Sequence, residues 1–125
     1  MTRDDVQHWL NRYIEAWRAN DAATIETLFT DEAEYRYRPY GDEVLRGAKA
    51  ISASWLESPD DPASWEAAYE PFAVEGDRAV AIGWSRYAAR DGQPERMYHN
   101  AYILEFAPDG RCRAFHEFYM LRDGA

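Results

Sequence analysis

Four strand-like runs, at about 64–75, 78–89, 95–106 and 111–121, follow one another with only a few residues between them. The breaks are Glu75-Gly76-Asp77, Asp91-Gly92 and Pro108-Asp109-Gly110, built from residues that reverse a chain. Connections this short leave consecutive strands no arrangement but antiparallel neighbours. The second half of the chain is therefore committed to a meander. Pro71 has no N–H to give a ladder, so it belongs at a bulge or a free edge.

The first half reads differently. Val6, Trp9, Leu10, Tyr13, Ile14 and Trp17 recur at helical spacing and form one apolar stripe over residues 4–19. Thr2 can cap that helix, and Asp4 and Asp5 suit the positive end of its dipole. A short second helix follows, capped by Asp21, with Ala22, Ile25, Leu28 and Phe29 inward. Residues 33–38 alternate and predict a strand, stopped by Pro39 and Gly41. Gly47 to Leu56 predicts a third helix with Ala48, Ile51 and Trp55 on one side, and Ser58-Pro59-Asp60-Asp61-Pro62 a solvated loop. Helices first and a long sheet last make an α+β chain, expected to form one domain over residues 1–125.

Composition narrows the partners. A formal net charge of −9 repels phosphate backbones and anionic membranes, so nucleic acid and membrane surfaces are not expected partners. No apolar run approaches the roughly 20 residues a membrane helix needs, and the polar start Met1-Thr2-Arg3-Asp4-Asp5 is not expected to be a signal peptide. One cysteine allows no internal disulfide, which fits the cytoplasm. Cys112 stands between Arg111 and Arg113, but alternation points both arginines to the opposite face, so an ordinary strand cysteine is expected. Five Trp, nine Tyr and five Phe suit cavity walls as well as a core.

The last hairpin assigns faces. If Phe106 opposes Arg111, then Tyr98 opposes Tyr119, Asn100 opposes Glu117 and Tyr102 opposes Phe115, all on one face. The other face carries His99, Ala101, Ile103, Ala114, His116 and Phe118. Three tyrosines, an amide and a carboxylate are more polar chemistry than a packed interior collects, so the Asn100/Glu117 face is expected to wall a pocket. Glu117 in an aromatic pocket should have its pKa raised toward neutrality. Asn100 could orient it, unless Arg36 or Arg38 neutralises it. His99 and His116 fall diagonally on the far face with no third ligand, so no metal site is expected. The preceding strand stays open: a two-residue turn at Asp91-Gly92 turns Trp84 away from Asn100, and a three-residue loop turns it inward.

Phe29-Thr30-Asp31-Glu32-Ala33, Pro39-Tyr40-Gly41, Gly47 and Ile51 resemble the SnoaL-like and ketosteroid-isomerase-like branches of the nuclear-transport-factor-2-like superfamily. So does the ending Phe106-Ala107-Pro108-Asp109-Gly110-Arg111 with Phe115-His116-Glu117-Phe118-Tyr119. The resemblance implies a cone-shaped, strongly curved antiparallel sheet wrapped by three N-terminal helices around a pocket. It favours Trp84 inward, and it implies a lining of Trp17, Tyr37, Trp55, Trp84, Tyr98, Tyr102, Phe115 and Tyr119. Tyr13 matches the oxyanion-hole tyrosine of ketosteroid isomerases, and follows Arg12 as theirs follows an arginine. Their general-base aspartate precedes a proline, where this chain has Arg38 before Pro39, or Tyr37 if a bulge intervenes. Their second acid aligns with Tyr102. One role in three survives, which excludes ketosteroid isomerisation by that constellation.

Two function classes remain. The first is a cofactor-independent enzyme on a small, largely apolar molecule. It would abstract a proton beside a carbonyl or activate water on an epoxide, with Glu117 as base, Asn100 as its positioner, and Tyr13 and Arg38 stabilising the oxyanion. No Gly-rich phosphate loop is present to bind a cofactor. The second is a non-catalytic ligand-binding or dimerisation module of the same fold. A Glu117 free of arginine favours the enzyme, and a Glu117–Arg pair the binder. Both faces of the last two strands carry apolar groups, so a homodimer through the outer face is expected, with His99 and His116 in or near it.

Overall fold

The computed structural model describes residues 1–40, 43–90 and 92–122. Gly41, expected to help stop a strand, and Asp91, the first residue of an expected turn, lie outside the described residues. Helix α1 spans Arg3–Ala19, α2 Ala22–Glu26 and α3 Ala48–Glu57. The strands are β1 Phe29–Arg36, β2 Leu45–Arg46, β3 Trp65–Glu75, β4 Arg78–Tyr87, β5 Arg96–Phe106 and β6 Cys112–Leu121.

α1 begins as its residue types dictate. The Asp5 N–H donates to Thr2 Oγ1 at 3.1 Å, and the Thr2 N–H donates to Asp5 Oδ2 at 2.9 Å, a reciprocal cap. The helix ends at Asn20, which adopts a left-handed conformation at φ 51°. Its buried stripe is Val6, Trp9, Leu10, Tyr13 and Ala16.

The strands form one six-stranded sheet in the order β2-β1-β6-β5-β4-β3. β3 to β6 make the expected antiparallel meander. β1, however, runs parallel to β6, so the sheet is mixed rather than wholly antiparallel. The long excursion through α3 and the meander lets β1 meet β6 from the same direction. The sheet does not close, because β2 and β3 are its two edges. Pro71 satisfies both of its expected placements: it lies on the edge strand β3, beside a bulge between Pro71 and Ala73.

Helices cover one face. There Trp9, Tyr13, Phe29, Tyr35, Phe106 and Phe115 form a buried aromatic cluster, with Tyr35 and Phe115 stacked at 4.4 Å and 2°. The other face leaves Ile82, Ile103, Phe118 and Met120 exposed.

The β5–β6 register differs from the expected one by two residues. Tyr102 opposes Glu117, Asn100 opposes Tyr119 and Leu104 opposes Phe115. Phe106 pairs with Cys112 instead of Arg111, and a bulge then leaves Arg113 unopposed. Each irregularity moves the pairing by one residue. A slip of two keeps every side chain on its face, so the faces stand and only the partners change.

Candidate functional site

A cavity of about 300 Å³ lies between the helices and the covered face of the sheet. Each surrounding element supplies a wall for a local reason. α1 brings Tyr13 and Trp17, one turn apart on its inner stripe. β1 brings Tyr35 and, just past its end, Tyr37, two residues apart and so on one side. Trp55 comes from α3, Tyr102 from β5 and Glu117 from β6. A recess of about 350 Å³ adjoins it, sharing Asp60, Ser85, Tyr87 and Glu117, and adding Tyr98, Asn100, Tyr119 and Arg96.

Glu117 faces this aromatic interior, and burial pushes its carboxyl up to about 7. Desolvation is the cause: rings replace the water that would stabilise the charge. Among the described residues no basic side chain forms an ion pair with Glu117. Arg36 opposes His116 on the other face, and Arg38 is exposed. The Tyr13, Tyr35 and Tyr102 hydroxyls are buried and pushed well above the ordinary tyrosine value, first by desolvation. The neighbouring Glu117 charge raises all three further, which puts the carboxylate among them. They remain O–H donors across the whole working pH range.

Several expectations need correction. Arg38 does not reach the cavity; it lines clefts with Pro39 and Tyr40 on the outside. Tyr37 lines the cavity instead, its hydroxyl 3.0 Å from Ser54 Oγ. Asn100 does not orient Glu117. Its Nδ2 donates to Tyr69 Oη at 2.9 Å and to Ser85 Oγ at 3.1 Å, so it fixes Tyr69. Trp84 faces outward, opposite His99 and Ala68. The bridge between Arg90 and Gln93 makes the turn a two-residue one, and that parity turns Gly83 and Ser85, not Trp84, toward the pocket. Phe115 is fully buried behind the wall, 4.6 Å from Tyr102 ring to ring. His99 and His116 lie on the outer face but four residues apart along the hairpin, because the register moved. Cys112 is buried, its thiol pushed up to about 12 and donating to the Ala114 carbonyl.

The loop at Asp60 is not merely solvated. Trp17 Nε1 donates to Asp60 Oδ2 at 3.0 Å, and Asn20 Nδ2 donates to the Asp60 carbonyl at 3.0 Å. Those bonds tie the loop to the end of α1 and put the Asp60 carboxylate in the pocket wall. Tyr35, Tyr69, Ser85 and Tyr87 were also not singled out from the sequence. Counting alternate residues back from Tyr102 across a two-residue turn reaches Tyr87 and Ser85, and counting back from Tyr37 reaches Tyr35.

Among the described residues no group of three or more His, Cys, Asp or Glu could hold a metal ion. Nor is any helix among them long and apolar enough to cross a membrane.

Known proteins share this architecture. An NTF-2 like protein of unknown function from Burkholderia xenovorans LB400 superposes with a TM-score of 0.72 at 20% identity, over 98% of this chain and 88% of that one. An LEH-like epoxide hydrolase of M. tuberculosis does so at 0.67 and 12%, over 94% and 84%. The epoxide hydrolase/cyclase-like enzyme SalBIII, which acts in pyran ring formation in the polyether salinomycin, does so at 0.66 and 14%, over 90% and 88%. No curated protein matches the sequence. The SnoaL-like domain family matches residues 10–115, most of the chain, and this protein belongs to that family.

Proposed function

We propose that the protein is a cofactor-independent acid–base enzyme acting on a small organic molecule, with Glu117 as the proton acceptor. One observation carries the reading: Glu117 lines a cavity walled by six tyrosines, with no ion-pair partner among the described residues, and burial pushes its carboxyl up to about 7. A base poised there is half ionised at neutral pH and returns its proton easily. An arginine-paired carboxylate would do neither.

Two reactions suit this arrangement. Glu117 takes a proton from carbon beside a carbonyl, or from water or a substrate hydroxyl attacking an epoxide. The oxygen that gains charge receives a hydrogen bond from Tyr13, Tyr35 or Tyr102, whose raised pKa values keep them protonated. Two structural neighbours with epoxide-hydrolase or cyclase-like descriptions add support to the second.

The test is turnover of epoxides and enolisable ketones by the wild type and by Glu117→Gln. The amide keeps the shape but accepts no proton. The substitution should lower kcat by about 1,000-fold or more, and Tyr13→Phe by about 100-fold, the usual cost of one lost oxyanion donor. Full activity in Glu117→Gln removes Glu117 from the mechanism.

A further inference from the structure

We propose that the pocket selects an organic cation, an amine or quaternary ammonium group, over a neutral molecule of the same shape. The inference deepens the proposed function by naming a ligand class for the same pocket, but it rests on binding rather than on turnover.

The charge of the inner cavity is one-sided. Its lining holds two carboxylates, Asp60 and Glu117, and no Arg, Lys or His among the described residues. Neither carboxylate forms an ion pair with a described basic side chain. Asp60 commits one oxygen to Trp17 Nε1, and in the adjoining recess that both carboxylates also line the basic side chain is Arg96. Above pH 7, where both carboxylates carry charge, an anionic substrate entering here would be repelled by each of them.

The walls have the complementary character. Six tyrosines and two tryptophans line the cavity. The electron-rich face of an aromatic ring attracts a cation. The chain already uses its own cations this way around the pocket. Arg96, at the mouth, lies over the Tyr87 ring at 5.2 Å from the centroid. Arg18 lies over Trp65 at 4.2 Å, and Trp65 in turn stacks on the lining residue Trp17 at 3.7 Å. A volume of about 300 Å³ holds a trimethylammonium-sized group with a short chain attached. Two carboxylates and the aromatic rings that line the cavity with them form a box for positive charge.

The probes are choline and its uncharged isostere 3,3-dimethylbutan-1-ol, measured by calorimetry and proton NMR at pH 8, where Glu117 is ionised. Choline should bind about tenfold tighter or more, with its methyl protons shifted upfield by the rings. Asp60→Asn and Glu117→Gln should each weaken choline about fivefold and leave the alcohol unchanged. The amide oxygen that Asp60→Asn introduces still accepts from Trp17, and thermal unfolding of both variants checks that the fold is kept. Equal binding of the two probes overturns the inference while leaving Glu117 as a base, which turnover tests separately. Absence of choline binding at millimolar concentration also overturns it.

Discussion

Glu117 carries an energetic cost with a definite sign. Its carboxyl is raised by desolvation from 4.5 to about 7, so the folded state holds that proton more tightly than the unfolded chain. The stabilisation this gives is full below the unfolded value and is lost as pH rises through about 7. A shift of this size corresponds to up to about 3 kcal/mol. Glutamine at the position does not titrate. The unfolding free energy of Glu117→Gln relative to wild type should therefore rise between pH 5 and pH 8 by about 1–3 kcal/mol, then stay flat. Urea unfolding of both proteins at the two pH values measures it. A difference that does not change with pH means the carboxyl is not desolvated.

At the scale of the elements, three strands cooperate to hold one tyrosine. Tyr69 on β3, Gly83 on β4 and Asn100 on β5 lie in a row across the sheet. A Cβ at Gly83 would meet the Ala68 carbonyl oxygen at 2.0 Å and Tyr69 Cδ1 at 2.4 Å. The missing side chain is what lets the Tyr69 ring cross β4 and reach the Asn100 amide. Gly83→Ala should cost about 3 kcal/mol, since backbone as well as ring must shift, and its thermal midpoint should fall well below that of the wild type. A midpoint within about 1 °C of wild type would mean the strands can part without loss. The same elements show what a sequence reveals. Which residues share a face on β5 and β6 was legible, because alternation survives a slip of two. The pairing partners were not, since nothing in the alternation marks the bulge at Arg113. The parallel contact of β1 with β6 joins segments far apart in sequence, and no local pattern records it. Asp60 reads as loop because its role depends on where α1 ends in space, and Arg38 reads as a site residue only through the resemblance at Pro39, which does not say where the chain leaves the sheet.

For the whole molecule, the uncovered face of the sheet is the open surface. Ile82, Ile103 and Phe118 are over a third exposed, and Met120 reaches 72%, while the opposite face is packed under helices. A contiguous apolar patch of this kind marks an association surface. We expect a closed two-fold dimer through it. Sedimentation at micromolar concentration should give twice the 14.5 kDa of one chain. Phe118→Glu should return monomers, by placing a charge where apolar surface is removed from water. His99 and His116 stand on this face, and His116 Nε2 is buried without a hydrogen-bond partner. A monomer boundary at neutral pH rules the dimer out, and a Phe118→Glu dimer moves the interface elsewhere.

The proposed chemistry turns on the ionisation of one carboxyl, and that is directly measurable. Carbon-13 NMR of glutamate-labelled protein follows each side-chain carboxyl through a pH titration, and Glu117→Gln identifies the signal by removing it. The Glu117 resonance should titrate with a midpoint near 7, well above the ordinary glutamate value of 4.5. A midpoint at 4.5 or below, the ordinary value for the group, would mean a solvated or cation-paired carboxylate, and would contradict Glu117 as the base.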